Sequence, residues 1–305
     1  MAAVFLLPVG LLLGAADSRA GLPSVVVVAS AGVEAHRSAV AGIQAAMGMA
    51  PSQIRVLDLA EARSEQASGV SLAAPGVRVI IAVGSEALEI VNAGRPPVPV
   101  ISTMVLRHAA DKDLSLARVA ATVSLDVSIE DMAARLKKIF PGKTRLGIIR
   151  NPATGRYNSA QLQARVQSLG YAVKVVDAAG PEQLLPALMS LKGQVDLVWC
   201  IPDGLLYNSV TIKPLILASL ENRLPLIGFS ESFARAGAAL GVYPDFYDIG
   251  LQTGEAARQI MENQPLRAPD GPRKLKLAVN QSVLRLFGLR CSAAAAEGEE
   301  ISILR

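Results

Sequence analysis

The sequence predicts an α/β protein of two Rossmann-like lobes, each built on a parallel sheet, with a cleft between them. Three observations carry that prediction. Short β-branched apolar runs alternate with segments of helical spacing along most of the chain. The alternation breaks near Ala121 and restarts, giving two series of about four strands each. Several strands end in small polar residues, and that edge of a helix-flanked parallel sheet is where ligands bind.

The totals fit such a fold. The chain has 305 residues, 51% hydrophobic and 18% charged, which excludes disorder and suffices for two cores. The net charge of +4 is spread thinly. No basic stripe interleaved with aromatics is present, so nucleic acid is not an expected partner. The two cysteines, Cys200 and Cys291, have no metal-ligand or CxxC spacing, and neither metal nor cofactor is expected. Cys200 lies in an apolar strand and reads as a buried thiol. A Cys200–Cys291 disulfide stays open.

The amino terminus stands apart. Ala2 to Ala16 is apolar apart from Pro8, Gly10 and Gly14, and is too short to span a membrane. With Ser18-Arg19-Ala20 behind it, residues 1–20 read as a secretory signal that leaves Gly21 at the mature terminus. The departure is the lack of Lys or Arg ahead of the apolar run. Export to the periplasm, or secretion, is the expectation, and no cysteine marks a lipid anchor.

The elements follow in order. Val25–Ser30 is a buried-type strand, and Gly32–Met47 a helix with Val33, Val40, Ile43 and Met47 on one face. Ile54–Leu59 is a strand and Ala60–Ser71 an exposed helix. Val77–Val83 ends in Gly84-Ser85, where Ser85 is placed to cap the helix Glu86–Val91. Val98–Ser102 follows Arg95-Pro96-Pro97 and ends in Ser102-Thr103. Leu106–Arg118 breaks the rhythm. Ala120–Ser124 is a strand, and Ser128–Phe140 an amphipathic helix closed by Pro141-Gly142. The second series runs Arg145–Arg150, helix Asn158–Leu169, strand Ala172–Asp177 and helix Pro181–Leu191. Val195–Ser230 is then strand, polar turn, helix, strand. Gly237–Tyr243, helix Gly250–Met261, strand Leu275–Val279 and Val283–Leu286 complete the two lobes. These segments are too few for a third domain. Lobe I is expected over 24–121 plus about 243–268, and lobe II over 122–242 plus about 274–289. Residues 290–305 read as a frayed tail.

The polar strand ends define the candidate site: Ser30, Gly84, Ser85, Ser102, Thr103, Asn151, Asp203 and Ser230. They are mostly neutral hydrogen-bonding groups, which suit orienting a small polar ligand and suit acid–base catalysis poorly. Ser85 and Ser230 serve equally well as helix caps, and Asn151-Pro152 equally well as a turn. Asp203 is favoured for ligand contact. Tyr157 and Tyr207, in the turns that follow, are candidate aromatic faces; Trp199 reads as core. His36 reads as a surface residue of the first helix. No spacing supports a Ser/His/Asp triad through His108. The chain has no G-x-S-x-G elbow, Walker A run or GxGxxG after its first strand, so it reads as a binding protein and not an enzyme.

The segment VDLVWCIPDG (195–204) and the run Gly237-Ala238-Ala239-Leu240 to Tyr247-Asp248-Ile249-Gly250-Leu251-Gln252-Thr253-Gly254 resemble the substrate-binding proteins of ABC transporters, in the group with tryptophan- and tyrosine-binding members. Asn151-Pro152 and Leu277-Ala278-Val279-Asn280 extend the resemblance over about Ser24 to Leu289. It implies a type I periplasmic-binding-protein fold, hinge closure on a small-molecule ligand, ABC permease subunits as partners and a monomer. A sensor that hands its closed state to a signalling protein is the alternative role, and an enzyme on a doubly wound scaffold is a third, which the shortage of catalytic groups disfavours. The chain departs from the family where Thr-Pro-Ala becomes Gly84-Ser85-Glu86-Ala87 and Thr-Asp-Asn becomes Pro202-Asp203-Gly204. Those departures leave the ligand open.

Overall fold

The computed structural model describes residues 22–106, 119–154, 157–266, 271–292 and 300–304. The expected signal, His108, most of the Leu106–Arg118 segment and part of the carboxyl-terminal tail lie outside the described residues.

Two sheets, each flanked by helices, form two lobes. The first has five strands in the order β2-β1-β3-β4-β5, all parallel: β1 Val25–Ala29, β2 Ile54–Leu57, β3 Val79–Val83, β4 Val100–Val105 and β5 Val119–Ser124. β1 (VVVVA) and β3 (VIIAV) are buried at every position, as central strands covered on both faces must be. Helices α1 (Glu34–Met47), α2 (Leu59–Ala67) and α3 (Ser85–Ala93) return the chain after β1, β2 and β3. Asp58 starts α2 in a capping box with Glu61. Gly48, in the left-handed region, ends α1.

The second sheet has seven strands in the order β12-β11-β10-β9-β8-β6-β7. These are β6 Arg145–Arg150, β7 Ala172–Asp177, β8 Leu197–Cys200, β9 Leu226–Gly228, β10 Leu240–Pro244, β11 Leu275–Asn280 and β12 Glu300–Leu304. Its helices are α4 (Ile129–Ile139), α5 (Ser159–Ser168), α6 (Pro181–Ser190), α7 (Ile212–Glu221), α8 (Glu231–Ala236) and α10 (Gln281–Leu286). Val283–Leu286 is thus part of a helix.

Three expectations are corrected. β11 pairs with β10 antiparallel, so the second sheet is mixed. The tail is not frayed at its end: β12 pairs in parallel with β11, and Leu304 is buried against Tyr243 and Ala278. The fourth strand does not stop at Ser102; pairing with β5 carries it on to Val105 through a bulge at Met104, whose φ is 58°.

Helix α9 (Phe246–Met261) follows a strand of the second sheet yet packs on the first lobe, where Ile249, Ala256 and Ala257 join the core of β1, β3 and β4. Glycine decides this. A Cβ on Gly42 of α1 would stand 2.1 Å from the Tyr247 carbonyl oxygen, and one on Gly250 2.0 Å from that of Ala39. The α1 and α9 backbones therefore touch, and only hydrogen fits between them.

The cysteines do not pair. Cys200 is buried with Leu188 and Phe233 on one face of the second sheet, and Cys291 packs against the core on the other. Burial pushes the Cys200 thiol up to about 12.

Candidate functional site

The carboxyl ends of the parallel strands gather the candidate residues, one set per lobe. In lobe I, Ser30 follows β1 and Gly84-Ser85 follows β3. Gly84, not Ser85, is the residue ahead of α3, and its φ of 90° suits only glycine. The Gly84 N–H donates to the Thr103 carbonyl at 2.8 Å. Ser85 is the first helical residue. It is exposed, and its hydroxyl has no hydrogen bond among the described residues. α3 therefore begins without a side-chain cap, and its first amides and the Ser85 hydroxyl remain available to a ligand. Ser30 is half-buried and its hydroxyl is likewise uncommitted among the described residues. Asp58, at the end of β2, accepts the Ala31 N–H at 2.7 Å and so fixes the loop after β1. Those backbone donors hold its carboxyl below the ordinary carboxylate range.

His36 belongs to this edge, contrary to its reading as a surface residue. It is half-buried, and a Cβ at Gly84 would stand 2.8 Å from its Cε1. Its Nδ1 is enclosed without a hydrogen-bond partner, and burial lowers the imidazole pKa. Nothing at residue 36 itself signals this; only the glycine ahead of α3 makes room for the ring.

Ser102 and Thr103 do not lie at the strand end. Both are fully buried inside β4. The Thr103 Oγ1 is 2.8 Å from Thr253 Oγ1 on α9, and Thr253 donates to the Ile249 carbonyl. The Gln-Thr-Gly motif thus serves packing within lobe I: Thr253 meets β4, Gln252 Nε2 donates to Asp248 at 2.9 Å, and Gly254 admits Ile43 and Ala46 of α1.

In lobe II, Asn151 and Asp203 come together. Asn151 is buried and its Oδ1 accepts the Ala153 N–H at 3.0 Å. Its Nδ2 has no partner among the described residues. Asp203 is 5% exposed. Its Oδ1 accepts the N–H groups of Leu205 and Leu206, each at 2.9 Å, and its Oδ2 accepts the Thr154 hydroxyl at 2.6 Å. The carboxylate is therefore a brace that caps the turn after β8 and ties it to the turn after β6.

Arg150, the last residue of β6, is a feature that sequence reasoning missed. It is 7% exposed and donates to the carbonyls of Tyr157 (2.6 Å) and Asn151 (3.2 Å), with Asp177 at 3.5 Å as its ion partner. A buried guanidinium satisfied by carbonyls holds a turn in one shape. An arginine ahead of Asn-Pro is the signal in the sequence.

The two tyrosines are placed differently from expectation. Tyr207 is core, 6% exposed, with its ring 6.1 Å from that of Phe233 at 84° and its hydroxyl donating to the Ile149 carbonyl. Burial raises its pKa well above the ordinary value. Tyr157 packs on the lobe II core with the Arg165 guanidinium 4.9 Å above its ring. Ser230 is the cap of α8, its Oγ accepting the Phe233 N–H at 3.1 Å.

Among the described residues, no cluster of His, Cys, Asp and Glu has a metal-holding arrangement, and no helix is long and apolar enough to cross a membrane. A cavity of about 280 Å³, lined by Gln66, Val70, Ser71, Gly94 and Pro96, lies where α2 and α3 end, away from the polar strand ends.

The model of the family described as ABC transporter substrate binding protein matches residues 25–293. A tyrosine-binding protein from Clostridioides difficile (strain R20291) is 23% identical over 178 residues, 54% of this chain and 48% of that protein. The chain thus spans about half the length of this curated relative. Solved structures share the fold at low identity. The ligand-free, open form of a substrate-binding protein with adhesive properties from Clostridium difficile superposes with a TM-score of 0.65 and 14% identity, over 93% of this chain and 100% of that one. An ABC domain in complex with L-Trp from Streptococcus pneumonia gives 0.59 and 14% over 93% and 100%. A conserved domain protein from Vibrio cholerae gives 0.60 and 16% over 92% and 99%. The two lobes are those of a type I periplasmic binding protein, and with most of its length matched by the family model the chain belongs to the ABC transporter substrate-binding protein family.

Proposed function

We propose that the protein is the extracytoplasmic solute-binding component of an ABC importer, and that it captures a small polar, amino-acid-like ligand by closing its lobes. The observation that carries this reading is the chemistry of the two strand edges. Each offers neutral hydrogen-bonding groups that its own lobe leaves unused: the Ser30 and Ser85 hydroxyls and the first amides of α3 in one, the Asn151 amide in the other. Such groups orient a ligand and transfer no protons. The tyrosine named for one relative and the L-Trp bound in a structural neighbour favour an amino-acid-like ligand. In this reading Asp203 and Arg150 shape the site while Ser85 and Asn151 touch the ligand.

The remaining parts follow from that role. Residues 1–20 are a cleaved signal, and a monomer delivers its ligand to membrane permease subunits. Lobe I is residues 24–121 plus about 243–268, and lobe II residues 122–242 plus about 274–289. A thermal-shift panel of amino acids, L-Tyr and L-Trp included, together with sugars and nucleosides, tests the reading. A ligand at about 100 times its Kd adds about 2.7 kcal/mol to stability, a plain rise in Tm. Ser85→Ala should cut that rise without lowering the ligand-free Tm. Chemical turnover of a stabilising compound, or no stabilisation across the panel, would overturn it.

A further inference from the structure

The chain passes between the lobes at Leu125–Ser128, at Asp245 and at Gly271–Lys274, and these passages lie side by side. A Cβ on Gly271 would stand 3.1 Å from the Asp126 carbonyl oxygen, and the Asp245 N–H donates to the Lys274 carbonyl at 3.0 Å. Two basic residues, Arg273 in the last passage and Lys276 just beyond it on β11, hold the neighbouring elements. Arg273 Nη1 and Nη2 lie 2.9 and 3.2 Å from the two Glu255 oxygens, and its Nη2 and Nε lie 3.4 and 3.5 Å from those of Asp248. Both acids stand on α9 of lobe I. Lys276, on β11 of lobe II, donates to Glu300 of β12 at 3.0 Å and stands 3.7 Å from Asp245, the cap of α9. Phe246 packs at the same place, against the lobe I core and against the Tyr243–Leu304 cluster of lobe II.

We propose that Arg273 and Lys276 are an ionic latch on the joint, tethering α9 to β11 and restricting how far the lobes swing apart. A single exposed ion pair would do little. Here each cation holds two carboxylates, Arg273 those of Asp248 and Glu255 and Lys276 those of Asp245 and Glu300, and the Asp248 side chain is only 5% exposed. Swinging β11 away from α9 strips a buried carboxylate of its cation, which is the costly way to break a pair. The neighbouring charges raise the pKa of Arg273 and Lys276 against the effect of burial, so both stay charged. Glu300 makes β12 a member of the latch, so the last strand of the chain bears on the joint.

Spin labels at exposed Glu89 of lobe I and Gln167 of lobe II, in a Cys291→Ser background, report the inter-lobe distance by double electron–electron resonance. No ligand is added, so the result stands apart from that of the ligand panel. Arg273→Met with Lys276→Met should broaden the distribution and shift it to longer distance. Raising salt to about 1 M, where the screening length is about 3 Å, should do the same to the wild type and leave the double variant unmoved. An unchanged distribution in a folded double variant overturns the latch. If that variant does not fold by circular dichroism, the wild-type salt series decides, and a distribution indifferent to salt overturns it.

Discussion

At the scale of single residues, the groups that look most like ligand contacts are those most used by the protein itself. Asp203 has three donors on its carboxylate and is itself buried. Asp203→Ala should lower stability by about 1–3 kcal/mol through orphaned donors. Denaturant unfolding of the ligand-free protein checks this, and a midpoint equal to wild type would count against the brace. Arg150 sits in the same frame, and Arg150→Met would remove its hydrogen bonds to the Asn151 and Tyr157 carbonyls. His36 makes a pH-dependent prediction. Burial sets its folded pKa below the ordinary 6.5, so the folded state holds the neutral ring more readily than the unfolded chain does. Its contribution is complete above pH 6.5 and is lost as pH falls toward the folded pKa. The Tm of the wild type should therefore fall more steeply than that of His36→Gln on acidification below 6.5; parallel slopes would refute the assignment. Cys200, with its thiol near 12, should resist alkylation at neutral pH while Cys291 reacts first.

At the scale of elements, contacts made by backbone decide what side-chain patterns leave undecided. The sequence reads Gly250–Met261 as a helix, and the structure extends it back to Phe246. That this helix, α9, lies on lobe I depends on Gly42, Gly250 and Gly254 letting two helices approach to backbone contact. Gly250→Ala forces a methyl to 2.0 Å from the Ala39 oxygen. The helices must part, and overpacking of this kind costs about 1–3 kcal/mol or more. A Tm within error of wild type would show that the contact is slack. The strand β4 teaches a similar lesson. Ser102-Thr103 resembles a polar strand end, yet pairing with β5 extends the strand and turns Thr103 toward Thr253. β12 is the converse case: a polar, alanine-rich approach hides a strand that forms because β11 offers an open edge.

At the scale of the whole molecule, the two lobes are joined by passages that lie side by side, and the proposed closure would turn about that joint. Under the proposed function that rotation is what captures the ligand. If the lobes close on their ligand, small-angle scattering should show a smaller radius of gyration when a stabilising compound from the panel is added. A compound that raises Tm with no change in that radius would separate binding from closure.

The sequence by itself determined the α/β alternation, the restart that makes two lobes, the edges on which polar residues collect and the family. All of these follow from local hydrophobic period and from motifs read along the chain. Tertiary structure alone decided which polar residues are spare. Ser85 escapes capping because Gly84 takes the turn ahead of α3, and Asp203 is consumed because Thr154, far off in sequence, reaches it. The Tyr207 ring is drawn into the core by Phe229 and Phe233. A hydrogen-bonding group is free or committed according to partners brought near by folding, and no periodicity along the chain records them.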